Sequence, residues 1–381
     1  MRIAHISDTH LGYTRYARLD PKTNRNQREV DAQEAYGRTV EQILERDVDL
    51  VIHSGDVFDS IRPATHVIIN FLKETTRITR DARIPYLGIA GNHETPRLRA
   101  TTAALEYGNL VRAYFAHGFT DEYEPVDVGN THVGVALVPH GAVGDNEVIV
   151  SPDPAADINI MVTHGTVPGL LVQGHELGEI DLPNRVLDGG FDYVALGHYH
   201  YFHEHKKNAY YAGATERFSF AEADSKPGFA ILEFSEGGVE IEHVPIEARP
   251  MVDLPKINAS DMTGAELTGA MRELAESKDL EGAIVRQKVV DAPRGIAGEI
   301  DRALLRDLKR QCLSYSLEVT ETGTVVKDAG NMEASFGSLE EEFRAFVGAR
   351  RKKGELEPTF AGEFLEKGLS YLRAAGGGER P

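Results

Sequence analysis

Five short segments place metal-type side chains directly after apolar, β-rich runs in this 381-residue chain. Asp8-Thr9-His10 follows "RIAHIS", Gly55-Asp56 follows "VDLVIHS", and Gly91-Asn92-His93 follows "IPYLGIA". Thr163-His164-Gly165 ends "INIMV", and Gly197-His198-Tyr199-His200 ends "FDYVAL". Alone, His198 and His200 are ambiguous. Strand residues at i and i+2 share a face, so the pair reads as metal ligands or as polar groups on a wet sheet edge. The other four segments decide between these, because loops at the carboxyl ends of neighbouring strands converge. A site built from Asp, Asn and His without thiolate suits octahedral, borderline-hard ions such as Mn²⁺ or Fe²⁺, with Zn²⁺ possible. One carboxylate can bridge two ions about 3.5–4 Å apart, the two-metal arrangement for phosphoryl transfer.

The elements that must position these groups are legible as short apolar runs of four to eight residues, which read as strands. Helical stretches such as "REVDAQEAYGRTVEQILER" and "PATHVIINFLKETTRI" separate them. Residues 1–247 are therefore expected to form one large α/β domain with mixed sheets. After "EARPMVDLP" the pattern changes to strand 250–257, helix 263–277, strand 283–290, helix 296–311 and strand 313–321. Thr263 and Glu266 offer a capping box for the first of these helices. This predicts a small α+β domain at 248–327, a linker at 328–337, a helical segment at 338–373 and a disordered tail at 374–381. In the helical segment Phe343 and Phe346, then Phe364 and Leu365, fall on two apolar stripes. Such stripes either fold back on the body or dock a partner.

Composition describes an ordinary soluble globular protein, 41% apolar and 27% charged. The single cysteine, Cys312, excludes an internal disulfide framework and fits a reducing compartment. "MRIAHISD" enters a strand without an apolar leader, and no apolar run approaches a membrane span, so a cytoplasmic location with no membrane partner is expected. A net charge of −19 does not exclude nucleic acid, because net charge is not the local field. Arg15, Arg18, Lys22, Arg25 and Arg28 cluster after the first strand with Tyr13 and Tyr16 between them, and Arg97 and Arg99 add cations. Each cluster is either a DNA contact or a solvated face.

In their order, the motifs Asp-x-His, Gly-Asp, Gly-Asn-His, His and Gly-His-x-His resemble the signature of calcineurin-like metallophosphoesterases. The strings "SDTHLGY", "HSGDVFDS" and "GHYH", with the small domain and helical tail, are similar to one branch, the Mre-eleven/SbcD nucleases of DNA double-strand-break repair. The resemblance implies a four-layer α-β-β-α sandwich, a DNA-capping role for 248–327, and a segment at 338–373 that binds an SMC-like ATPase of the Rad-fifty/SbcC type. It also implies a homodimer in a prokaryotic, nucleoid-associated setting, acting on DNA ends, hairpins and single strands. By the same likeness two Mn²⁺ ions would be held, one by Asp8, His10, Asp56 and His200. Asp56, Asn92, His164 and His198 would hold the other, and His93 would be the catalytic histidine.

The chain departs from the family where many relatives have histidine after Gly-Asp-x-Phe. Asp59 stands there, and an aspartate can still orient a ligand imidazole. That position is tied to processive exonuclease action in the family, so the balance of exonuclease and endonuclease activity stays open. Glu94 replaces a common aspartate. Two rivals accompany the nuclease reading: a stand-alone phosphodiesterase for small molecules or phosphoproteins, and a non-catalytic DNA-tethering scaffold.

Overall fold

Strands whose side chains are buried on both faces form parallel sheets, because each face must find apolar cover. Leu50–His53 is such a strand, with all four residues buried. In the computed structural model, which describes residues 1–96, 103–143, 150–167, 182–322, 347, 350, 362 and 364–369, it lies near the middle of a six-stranded sheet. The spatial order there is Gly238–Pro245, Gly228–Ser235, Arg2–Ile6, Leu50–His53, Tyr86–Ile89 and Ala113–Ala116. The last four strands run parallel. A second six-stranded sheet is ordered Glu122–Val128, Thr131–Val138, Ile158–His164, Tyr193–Gly197, Ala209–Tyr211 and His203–Lys206.

The sheets face each other through Ile3, Leu50, Ile52 and Ile89 on one side and Val133, Val135, Ile160 and Val162 on the other. Strand alternation sends Ala4 and Ile6 to the opposite face, where Tyr36, Val40, Ile43 and Phe71 cover them. Those residues come from helices Gln27–Leu44 and Thr65–Thr76. The outer face of the second sheet buries Met161, Val194 and Leu196 against Val143, Val186 and Phe191. The result is the four-layer α-β-β-α sandwich. Each fully buried aliphatic or aromatic side chain contributes about 1.5–3 kcal/mol, so the intersheet core is the main anchor of the strand ends.

A three-stranded sheet follows, Met251–Asn258, Ile284–Ala292 and Ser314–Glu321, parallel throughout. Helices Gly264–Glu276 and Arg302–Gln311 cross between its strands, and Leu254, Leu267, Met271, Val289, Leu304, Leu308 and Cys312 form its own core. Thr263 and Glu266 make both bonds of the capping box. Met1–Thr324 is one compact unit. Arg249 joins its two parts: it clamps Asp31 through Nε at 2.5 Å and Nη2 at 2.6 Å and donates Nη1 to the Gly282 carbonyl. Arg28, counted with the basic loop in the sequence, is wholly buried and pairs with Asp31 at 2.7 Å. It is structural and unavailable to a ligand at the surface.

Residues 325–381 form the second unit. There the described residues are helical, with Phe364 exposed, Leu365 half-buried, and Val347 and Leu369 buried. Phe343, Phe346, the 328–337 linker, the 374–381 tail, Arg97 and Arg99 lie outside the described residues. Among the described residues no helix is long and apolar enough to cross a membrane.

Candidate metal centre

The carboxyl ends of parallel strands from both sheets meet at one edge of the sandwich. There Asp8, His10 and His200 bring ligand atoms within 4.8 Å of one another, and so do His10, Asp56 and His93, and Asp8, Asp56 and His164. Asn92 joins them through Oδ1, 2.9 Å from His164 Nε2 and 3.2 Å from His198 Nδ1. All eight strand-end residues singled out in the sequence therefore surround one pocket.

Close approach of the loops depends on glycine. A Cβ on Gly91 would overlap the Asp56 carboxylate, and one on Gly197 would overlap the Ser54 carbonyl. Backbone strain is concentrated here too. Asp8, His10, Asp56 and His198 have φ values of 51°, 41°, 54° and 103°, in the left-handed region. Such residues cost about 1–3 kcal/mol each and persist where the surroundings over-determine them.

The ring orientations are set from outside the pocket. His164 donates Nδ1–H to the Ser54 carbonyl at 2.8 Å, which leaves Nε2 facing Asp56 Oδ2 at 3.4 Å. His200 turns Nδ1 to Glu222 at 3.1 Å, and its Nε2 faces His10 Nε2 at 3.2 Å and Asp8 at 3.8 Å. Neighbouring donors on an octahedral ion with bonds of about 2.1 Å stand about 3 Å apart, so the spacing fits a shared cation. The electrostatics agree. Burial lowers the affinity of His164 for a proton, but Asp56 outweighs it and lifts the imidazole to about 9. His200 is likewise lifted to about 9, by Glu222 and Asp8 against burial. Burial opposes the charge on Asp56, yet the surrounding imidazoles hold it well below the usual carboxylate range. The carboxylates draw positive charge into the pocket, which is the field a divalent cation requires.

His93 stands at the rim with its side chain 25% exposed and Nε2 4.0 Å from Asp56. Its Nδ1 faces the Asp59 carbonyl at 3.1 Å; a carbonyl only accepts, so Nδ1 carries the hydrogen. The Asp59 carboxylate lies 3.4 Å from His10 Nδ1 and 3.7 Å from His93 Nδ1.

Sequence reasoning gave three residues no role at the site. Glu222, on a short turn after Ser219, belongs to no motif; the Ser219 hydroxyl donates to its carboxylate at 2.8 Å, and nothing local shows that it also meets His200. Glu94, treated as a minor replacement, accepts from the backbone N–H of Phe58 at 2.6 Å and of Gly91 at 3.0 Å, tying two ligand loops together. Burial, then the charge of Asp56, pushes it up to about 8. His140, which belongs to no motif, is buried with its ring 6.1 Å from that of His164. Of the basic loop, Arg15, Arg18 and Lys22 are exposed, while Arg25 is held by Gln33 at 2.9 Å.

Comparison with known proteins places the chain. The family model described as calcineurin-like phosphoesterase matches residues 1–202. The DNA double-strand break repair protein Mre11 of Methanopyrus kandleri is 29% identical over 272 residues, covering 65% of this chain and 57% of that protein. The protein of the same name from Haloferax volcanii is 30% identical over 291 residues, covering 74% and 60%. The chain thus spans less than two thirds of the length of these relatives. A solved structure, the purple acid phosphatase PPD1 from yellow lupin seeds, is similar at a TM-score of 0.36 and 16% identity, covering 64% of this chain and 51% of that one.

Proposed function

The chain belongs to the calcineurin-like phosphoesterase family, and from that premise we propose that it is a dinuclear-metal DNA nuclease that processes double-strand breaks. The observation that carries this reading is the convergence of two carboxylates, an amide and five imidazoles at one sandwich edge. In this reading Asp8, His10, Asp56 and His200 hold one ion, and Asp56, Asn92, His164 and His198 hold the other. Two Mn²⁺ ions, with Fe²⁺ or Zn²⁺ as alternatives, would lower the pKa of a water and neutralise a phosphodiester's oxygens. Asp56 is shared by two of the donor groups and would offset the repulsion between two bound ions. With Nδ1 turned to the Asp59 carbonyl, His93 keeps Nε2 toward the pocket. There it stabilises charge at phosphorus or passes a proton to the leaving oxygen. The Asp59 carboxylate, 3.4 Å from His10 Nδ1, would close on that nitrogen to orient the imidazole.

DNA as substrate is supported by the names of the relatives and by the exposed cations of the 13–25 loop. Arg18 of that loop reaches the Lys309 carbonyl of the small domain, so loop and small domain form one surface. Arg25, Arg97 and Arg99 belong to the same proposed DNA contact, with the small domain capping the DNA. Exposed Ile69, Tyr107 and Leu110 suit a homodimer, and Phe343, Phe346, Phe364 and Leu365 suit docking of an SMC-like ATPase. The setting we propose is cytoplasmic and nucleoid-associated, with both double-strand exonuclease and single-strand endonuclease action.

A tethering scaffold has no physical use for four strained ligand-bearing backbones, and a small-molecule esterase has none for the basic loop. Hydrolysis of bis-p-nitrophenyl phosphate and of duplex and single-stranded DNA, with and without Mn²⁺, separates the readings. The nuclease cleaves DNA and the small ester only with metal. Cleavage of the small ester alone favours the stand-alone esterase, and DNA binding without any cleavage favours the scaffold.

A further inference from the structure

Residues 216–222 lie between the metal-type cluster and the small domain, and they touch both. On the cluster side, the Phe218 ring stands edge-on to His10 at 4.7 Å and to His200 at 5.6 Å. Glu222 is buried. Its Oε1 meets His200 Nδ1 at 3.1 Å and the Ser219 hydroxyl at 2.8 Å, and its Oε2 accepts the Phe218 N–H at 2.8 Å. That bond decides which nitrogen of His200 faces Asp8 and His10. On the other side, the Arg286 guanidinium sits 4.3 Å from the centroid of the Phe220 ring. Arg286 is itself fixed by a two-pronged contact to Asp253, at 3.0 and 2.6 Å, on the neighbouring strand of the small sheet. Arg217 adds a bond to the Arg249 carbonyl at the joint. The turn that carries Glu222 is therefore gripped by the small domain two residues away.

We propose that Glu222 is a positioning residue for His200, and that the small domain, through Arg286 on Phe220, sets how firmly Glu222 holds that imidazole. The position of the small domain then tunes the affinity of the ion shared by Asp8, His10 and His200, while the ion near Asn92, His164 and His198 is less affected. This rests on reading the cluster as a two-metal centre, but not on the identity of the substrate.

Calorimetric titration of the full chain with Mn²⁺ tests it. Glu222→Gln keeps the shape and removes the charge, and it should weaken one of the two equivalents about 10–100-fold, the effect expected for a partner of a ligand histidine. Glu222→Asp should recover part of that loss. Arg286→Ala, which alters a contact to Phe220 rather than a ligand residue, should weaken the same equivalent about two- to fivefold, as loss of a partly exposed cation–π contact implies. Unchanged binding in Glu222→Gln, or equal weakening of both equivalents, overturns the positioning role. Normal binding in Arg286→Ala overturns the link to the small domain. A wild-type chain that binds no Mn²⁺ overturns the metal centre itself, which is a separate failure.

Discussion

The body and the small domain both build parallel strands with loops at their carboxyl ends, but the loops differ in kind. In the body those ends carry buried Asp8, His10, Asp56 and His164, and three of the four have left-handed backbone. In the small domain, among the described residues, Asp291 alone of the non-glycine residues has positive φ, and Gln287 is the buried polar side chain. Its core is otherwise apolar packing. Strained backbone and buried charge oppose folding, so their coincidence in Asp8, His10 and Asp56 at one sheet edge marks where function constrains the chain. The small domain, without that load, is held by its apolar core and meets the body through Arg286 and Arg249.

The largest break in this contrast is Asp56→Asn. A neutral amide cannot offset repulsion between two dications, so at least one Mn²⁺ should bind weakly and hydrolysis of bis-p-nitrophenyl phosphate should fall below detection. A near-normal rate at micromolar Mn²⁺ removes Asp56 from the bridging position. His93→Ala comes next. Both ions should stay while activity drops about 10²–10⁴-fold, the usual contribution of a general acid or base. Metal analysis of the purified variant is the check, since loss of an ion would make His93 a ligand.

How much of this was legible follows from where the information lies. The strand ends could be read because each motif is local: an apolar run, a glycine, then a carboxylate, amide or imidazole. The β-α-β-α-β pattern of the small domain was readable for the same reason, down to the Thr263–Glu266 capping box. Long-range pairings were not. Arg28 looks like part of a basic loop, and only the fold brings Glu216 to 3.5 Å from it and buries both. Glu222 lies in no motif, and nothing near it in the sequence points to its partner His200, 22 positions away. Arg286 on Phe220 joins two parts of the chain with no shared motif. Sequence shows which side chains can do chemistry; it does not show which distant ones hold them in place.

Acid should separate the two regions. His5 is wholly buried between Tyr193 and Ser54, each 2.9 Å away, and burial, with help from His53, lowers it to about 3. In the unfolded chain it titrates near 6.5. Because the unfolded state binds the proton more readily, the neutral ring's contribution is fully present above pH 6.5. It is lost as pH falls from there toward 3, by about 2 kcal/mol at pH 5. Residues 251–322 contain no histidine, so the small domain lacks this liability. In metal-free protein, hydrogen exchange corrected for intrinsic rates should show body strands losing protection between pH 6.5 and 5 while the small sheet keeps its own. His5→Gln should flatten the fall of Tm with acid; an unchanged slope removes His5 as the cause.

The smallest expected effects have opposite signs in the two regions. Gly91 lies where an added Cβ would overlap the Asp56 carboxylate and backbone nitrogen. Neither can retreat, because the His93 N–H donates to that carboxylate at 3.0 Å and Glu94 ties the same loops. Gly91→Ala should therefore destabilise the chain by about 1–3 kcal/mol, as overpacking does, and weaken Mn²⁺ binding with it. Gly269 sits on the exposed side of helix Gly264–Glu276, and an added Cβ meets nothing within 4 Å. There alanine relieves the entropy cost of an interior helical glycine, so Gly269→Ala should stabilise by about 0.5–1 kcal/mol and leave metal binding unchanged. Urea titrations of the two variants give both signs in one experiment. If Gly91→Ala were neutral, the loops would be looser than their contacts require, and the contrast between a strained edge and a relaxed domain would fail at its narrowest point.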